Sequence, residues 1–323
     1  MKRWGLSPEL PGLPISGFEP VFRAAEAAGY TDIWPGEVAG HDAFTPLALA
    51  ATWTERVRLG TGVVGVFTRA PVILAQHAAT MQEATDGRFC LGIGSSSSVI
   101  VERWNGIPFE KPLMRVRETV EFLRPALAGE RAGPGGFKLE SPPAEPVPIV
   151  IGALRGRMLQ LAGEIGDGAF LNFLPLSSVG KVVEHVREGE RAAGKEPGSV
   201  ETLCRFFCIQ GDPEHGYPLA VRMFCAYATV PVYEKFFRWL GYGEAIDPMV
   251  EAWNGGERKR ALELAPRELV EDVFVLGDAA AQKERLEAFV AAGVDVPMIL
   301  GVPLAEPTAD AHVQLVESLA PTG

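Results

Sequence analysis

Residues 58–94 read RLGTGVVGVFTRAPVILAQHAATMQEATDGRFCLGIG. Two short apolar runs, Arg58–Val66 and Arg88–Gly94, enclose an amphipathic segment at 71–85 that opens on Pro71 and closes before Gly87. Strand, crossover helix and second strand of these lengths make a parallel βαβ unit. The same alternation runs through the whole chain. Further strands are expected at Trp4–Leu6, Asp32–Trp34, Pro148–Ala153, Ala169–Phe173, Leu203–Gln210 and Val296–Val302. Helical patterns lie between them at about 17–29, 45–54, 112–128, 155–165, 178–194 and 309–319. Eight strands alternating with helices predict an α/β fold of the (β/α)8 TIM-barrel type.

Two stretches break the even spacing. Gly129–Pro148 is rich in Gly and Pro and reads as an irregular excursion before the fifth strand. The region 211–293 is too long for a plain loop and carries several helical patterns, so a helical insertion between the last two strands is expected. The domain expectation is one barrel over residues 1–323, with insertions at about 129–147 and 211–293.

Hydrophobic residues make up 47% of the 323-residue chain and charged residues 22%, enough apolar surface for one large core. The net charge of −11 argues against nucleic acid and anionic membrane as partners, because phosphate contacts need clustered Lys and Arg. A small molecule fits better. The N-terminus lacks the apolar run of a signal peptide, and no stretch has the length and apolarity of a membrane span. Cys90, Cys204, Cys208 and Cys225 form no CxxC pair and read as buried free thiols, which points to a reducing cytoplasm.

Barrel enzymes place their chemistry at the carboxyl ends of the strands. Those positions hold Glu37, His41 and Asp42 after strand two; Gly65, Phe67 and Thr68 after strand three; Ser95–Ser98 after strand four; Leu154–Gly156 after strand five; and Asn172 with Phe173 after strand six. No two of the five histidines are placed to hold a hydrolytic metal, and no metal site is expected. Lysines avoid the strands, against Schiff-base chemistry, and Glu37 has no second strand-end carboxylate, against glycoside hydrolysis. A rim of Gly, Ser and aromatic residues suits an enzyme whose cofactor carries the reactivity. Gly60, Gly62 and Gly65 either admit a flat ring or a second backbone, or mark a bulge at a crowded corner. Gly94–Ser97 offers amides and hydroxyls to an anion, and Arg155 and Arg157 lie near the start of the helix at about 155–165, where they either meet an anion or are solvated surface arginines.

Together these segments resemble a known family. The run Thr61–Arg124, TGVVGVFTRAPVILAQHAATMQEATDGRFCLGIGSSSSVIVERWNGIPFEKPLMRVRETVEFLR, is similar to the luciferase-like monooxygenase superfamily, in particular its F420-dependent oxidoreductase branch. The likeness continues through IGALRGRMLQLAGEIGDGAFLN, Ile151–Asn172, and more weakly through Val296–Pro303. The resemblance implies a cis peptide bond at Gly62–Val63, forming with Val64 a bulge behind the central ring of a deazaflavin. It places Glu37 beside the cofactor, with Gly94, Ser95, Ser96 and Ser97 as further contacts. The loop Gly152, Ala153, Leu154, Arg155 and Gly156 would meet the cofactor phosphate, with Arg155–Gly156 where relatives often carry Gly-Pro. Val38 stands where sugar-phosphate dehydrogenase relatives have a catalytic histidine, which speaks against that substrate. Trp104 and Phe109 are candidate pocket walls.

The implied reaction is hydride transfer between coenzyme F420 and a small organic substrate, with Glu37 and His41 as catalytic candidates and the Ser95–Ser98 hydroxyls as hydrogen-bond partners. An FMN-dependent monooxygenase served by a partner flavin reductase is the alternative, and a non-catalytic flavin-binding barrel a third. A homodimer is expected by analogy with relatives.

Overall fold

The computed structural model describes residues 3–304 and 306–321. Its strands are β1 (Gly5–Leu6), β2 (Asp32–Ile33), β3 (Arg58–Gly60), β4 (Val64–Gly65), β5 (Phe89–Gly94), β6 (Ile149–Gly152), β7 (Gly168–Asn172), β8 (Glu201–Gln210), β9 (Val275–Gly277) and β10 (Val296–Val302). Parallel pairing runs β10-β1-β2-β3-β5-β6-β7-β8, and β8 pairs β10 in turn, from Leu203 opposite Val296 to Ile209 opposite Val302. The sheet therefore closes into a barrel of eight strands, as expected. Closure leaves no sheet edge among these strands.

Helices α1 (Phe18–Ala27), α2 (Phe44–Trp53), α3 (Pro71–Ala84), α4 (Pro112–Leu127), α5 (Gly156–Ile165) and α6 (Val179–Ala192) follow the first six barrel strands. α7 (Pro213–Ala228), α8 (Pro231–Leu240), α9 (Gly243–Asn254), α10 (Arg258–Glu263) and α11 (Arg267–Val273) form the predicted insertion. α12 (Ala279–Ala292) and α13 (Ala309–Ser318) complete the outer ring. Pro71, Pro112, Pro213 and Pro231 each begin a helix, where the missing amide donor costs nothing. The side chains of Asp212, Asp278 and Thr308 cap α7, α12 and α13.

Two boundaries differ from expectation. The third strand is not one run from 58 to 66 but two pieces, β3 and β4, both paired with β5, and the bulge that the resemblance implied lies between them at 61–63. The added element is also shorter than 211–293. After α11 the chain returns to the barrel as β9, which pairs with the end of β8, and α12 is the ordinary helix before β10. A strand of three residues leaves too little periodicity to be read from sequence. All four cysteines are buried and unpaired, and no helix among the described residues is long and apolar enough to cross a membrane.

The barrel interior is filled in layers. At the amino-terminal end Asp32, with no exposed side-chain surface, accepts hydrogen bonds from Arg3 at 3.0 Å and Arg58 at 2.6 Å; Glu201 pairs with both arginines. Above this plug the Trp34 indole stacks on Phe170 with ring centroids 5.8 Å apart, among Cys90, Val150, Leu203, Val296 and Met298. A Cβ on Gly60 would lie 2.4 Å from that indole. The flat ring that the glycine admits is therefore the chain's own.

Two histidines outside the lumen carry a pH dependence. His77 on α3 leans on Phe44 with ring centroids 4.5 Å apart, and burial first, then the Arg69 charge, depresses its proton affinity. His312 on α13 is depressed by burial alone. The unfolded chain, with imidazoles near the ordinary value of about 6.5, takes up protons first as pH falls. Stability is thus expected to be full above about pH 6.5 and to decline below it, before the carboxylates titrate. Thermal melts between about pH 7.5 and 5.5 check this, and a flat melting temperature that H77Q leaves unaltered would count against it.

Candidate active site

The carboxyl ends of the barrel strands form an open mouth whose floor is Val63. The Gly62–Val63 peptide bond is cis. The Val63 side chain sits between β5 and β6, where a Cβ on Gly94 or Gly152 would lie 2.9 or 3.0 Å from its Cγ2. Gly36, Val63, Gly65, Gly152 and Asn172 are all half-buried, so solvent reaches the residues around Val63.

Beneath the floor lies an arginine that the sequence reading did not select. Arg205, 6% exposed, projects from β8 into the lumen, with its guanidinium 5.5 Å from the Phe170 ring centroid. Its Nε donates to Ser7 Oγ at 2.8 Å, its Nη1 faces Glu9 Oε1 at 3.3 Å, and its Nη2 donates to the Gly62 carbonyl. Gly36 leaves room for this group, since a Cβ there would lie 2.8 Å from Nη2. One side chain thus ties the chain after β1 to the chain after β3 and packs against Gly36 after β2. The available signal was a lone charge in the apolar run Leu203–Ile209, on the same face as Leu203. Glu9 was also missed, and its side chain is 37% exposed beside the mouth.

The predicted catalytic pair is not brought together. Glu37 is held by both terminal nitrogens of Arg69, one at 2.6 Å, and accepts the Ala43 amide at 3.1 Å. A carboxylate so engaged staples the loop before α2 and is poorly placed to carry protons. His41 is exposed and rests edge-on against Phe18 with ring centroids 4.9 Å apart. No hydrogen bond joins it to Glu37 among the described residues.

Of the expected cofactor contacts, Gly62, Val63, Gly94 and Gly152 meet at the mouth. The side chains of Val64 and Ala153 do not; they are buried in the shell beneath the helices, because strand neighbours alternate faces. Ser95, Ser96 and Ser97 lie half-buried past β5, with Ser96 in the left-handed region at φ 61°. Leu154 is half-buried against the outer core. Arg155 stands at the amino-terminal boundary of α5, and Gly156 takes φ 48°, a value glycine adopts freely. Phe109 leans on Phe67 at 5.1 Å, whereas Trp104 is 55% exposed and unpacked.

The insertion closes one side of the mouth. Asn172 Nδ2 donates to the Tyr233 hydroxyl at 3.0 Å, and Arg155 Nη1 donates to the Val232 carbonyl at 3.3 Å. Phe173, a bulky residue at φ 52°, is held in that unfavourable conformation by Phe207, Tyr227, Tyr233 and Phe274. Burial raises the Tyr233 phenol, and the bond from Asn172 opposes it.

Residues 6–296 match the sequence profile of the luciferase-like monooxygenases. The chain belongs to this family. It is an oxidoreductase. A Mycobacterium tuberculosis protein provisionally named a coenzyme F420-dependent oxidoreductase is 30% identical over 85% of this chain and 88% of its own length. The F420-dependent tetrahydromethanopterin reductase of Methanopyrus kandleri superposes with a TM-score of 0.80 at 21% identity, over 99% of this chain and 98% of its own. The FMN-bound oxygenating component of 3,6-diketocamphane monooxygenase from Pseudomonas putida superposes at 0.69 with 18% identity, covering 99% and 97%.

The luciferase-like mouth fits a flat cofactor with an anionic arm. Val63 offers an open apolar floor. Beside it Arg155 is half-buried with no carboxylate partner among the described residues, and burial lowers its proton affinity. Among the described residues Arg115 on α4 likewise has only the Val66 carbonyl, at 3.3 Å, and the Phe67 face. Two arginines without counter-ions among the described residues suit a phosphate.

Proposed function

We propose that this luciferase-like protein transfers a hydride between coenzyme F420 and a small organic substrate. The open Val63 floor beside the unpaired cations Arg155 and Arg115 carries the reading, and the F420-dependent relatives support the choice of cofactor. F420, when bound, supplies the carbon that gives or takes the hydride. The protein holds and orients. Val63, Gly94 and Gly152 would back the ring, and Arg155, Arg115 and Ser95–Ser97 would meet the anionic arm. Proximity then contributes much of the rate.

Proton transfer falls to Glu9 rather than Glu37. Its single contact with Arg205, at 3.3 Å, leaves it freer than Glu37 with its two-pronged Arg69 pair. The segment 229–233 of the insertion lies over the mouth through Asn172 and Arg155, where it would exclude water and shape the substrate site. The four unpaired cysteines support a cytoplasmic setting.

α2 carries no charged side chain and α3 only Glu83, although both lie on the outside of the barrel with Ala48 and Ile73 exposed. Outer faces with so few charges suit contact with a second copy, which supports a homodimer. Native mass spectrometry with added F420 or FMN tests cofactor and assembly together. The expected result is a dimer that binds one F420 per chain in saturable fashion and FMN at least about tenfold more weakly. Preference for FMN would instead point to a monooxygenase fed by a flavin reductase.

A further inference from the structure

Between β1 and β10 and the helices α1 and α13 that cover them lies a partly open cavity of about 10 Å³, bounded by Leu6, Glu9, Val21, Ile299, His312 and Leu315 among others. That is room for one water molecule. Its lining is mostly apolar, and the two ionisable side chains that share it are Glu9 and His312. His312 is only 4% exposed, and its Nε2 is fully buried with no hydrogen-bond partner among the described residues. A buried ring nitrogen is rarely left unpaired, and a water-sized space beside it is the usual remedy. Glu9 reaches both sides of the wall: it borders this cavity and, through Arg205, the mouth.

We propose that one water in this cavity bridges His312 Nε2 and the Glu9 carboxyl group, so that His312 relays protons through the barrel wall to the mouth. One proton arrives at the imidazole from the outer side, one passes from the imidazole to the water, and one passes from the water to the Glu9 carboxylate. The water ends as it began, the imidazole ends with its proton on Nδ1 in place of Nε2 until the ring turns to reset it, and a single proton has crossed. Only the fate of the proton after Glu9 rests on the proposed hydride transfer.

The surroundings leave the relay to these two groups. On α13 Asp310 and Glu317 are exposed. On α1 Glu19 pairs with Arg23 at 2.8 Å, and Glu26 accepts the amides of residues 55–57. The Tyr30 hydroxyl donates to the Val316 carbonyl at 3.1 Å, and β10 brings no charged side chain. At the mouth the charge of Glu9 is shared with Arg205 and felt by Tyr227 and Tyr233. Burial keeps His312 neutral near pH 7, so it passes a proton on rather than holding it.

Two readouts on the full chain without cofactor test the relay. A crystal structure of the wild type at a resolution that shows ordered water is expected to place one water within hydrogen-bond reach of both His312 Nε2 and Glu9. Nuclear magnetic resonance titration of ¹⁵N-labelled histidines, with the His312 signal identified by its loss in H312Q, is expected to show its proton affinity about tenfold lower in E9Q than in the wild type. A dry cavity, or a His312 titration that E9Q leaves unchanged, overturns the proposal. The first readout needs no variant, so it stands even where E9Q does not fold. Failure of F420 to bind would remove the proposed function and leave both readouts as they are.

Discussion

Arg205→Met is expected to weaken F420 binding about 100-fold while the barrel still folds. The guanidinium donates in three directions, to Ser7, Glu9 and the Gly62 carbonyl, from a position only 6% exposed. Methionine matches much of the length and keeps the packing on Phe170, but it donates nothing. The Gly62 carbonyl then loses its charged donor and the floor residue next to it loses its anchor. Hydrogen bonds to charged groups are worth roughly 1.5–3 kcal/mol each, which sets the size of the effect. Arg205→Lys is expected to recover only part of the affinity, because an ammonium cannot reproduce a planar fork.

Gly36→Ala probes the same contact from the other side, since its new Cβ would meet Nη2 at 2.8 Å. Alone it should weaken binding; combined with Arg205→Met it should add little, because the clash has gone. Calorimetric titration of the four proteins reads the coupling. Wild-type affinity in Arg205→Met, or strictly additive losses in the double variant, would sink the assignment of Arg205 as the mouth's organiser.

At the opposite end of the barrel, Asp32→Ala is expected to cost about 3–5 kcal/mol and to lower the melting temperature by on the order of 10 °C. Asp32 is completely buried and accepts from Arg3, Arg58, Thr31 and Trp34, with Arg58 Nε at 2.6 Å and Thr31 Oγ1 at 2.7 Å. Without it two arginines share the single carboxylate of Glu201, and Arg58 Nη2 is already buried and unpaired. Glu201→Gln should cost much less, because that side chain is 30% exposed and water screens its loss. Denaturant unfolding of both variants measures the contrast. Equal losses would show that burial does not set the strength of this network.

The eight barrel strands were legible because each is an apolar run bounded by turn residues, and because a buried parallel strand is apolar on both faces. The helices were legible from their period and their caps. β9 was not, since Val275–Gly277 offers three residues of pattern inside a long helical region. Nor was the break in the third strand visible from residue type alone. The glycines of that strand were noticed, yet Gly60 makes room for Trp34 within the lumen, a pairing that requires knowing where β2 lies.

The site divides in the same way. Strand-end rules brought Ser95–Ser97 and Arg155 to notice, since order along the chain fixes which residues reach a barrel mouth, and the family resemblance added Val63, Gly94 and Gly152. They also selected Glu37, but its commitment to Arg69 depends on a residue 32 positions away. Arg205 and Glu9, separated by 196 positions, meet only once β8 has closed on β10 and β10 on β1. By itself, then, the sequence determined the barrel, its insertion and the family, because periodicity, caps and local motifs are short-range properties. Which carboxylate is free, which arginine supports the floor and which histidine borders a water-sized cavity were decided by tertiary structure alone, because charge pairing and burial arise between strands far apart in the chain.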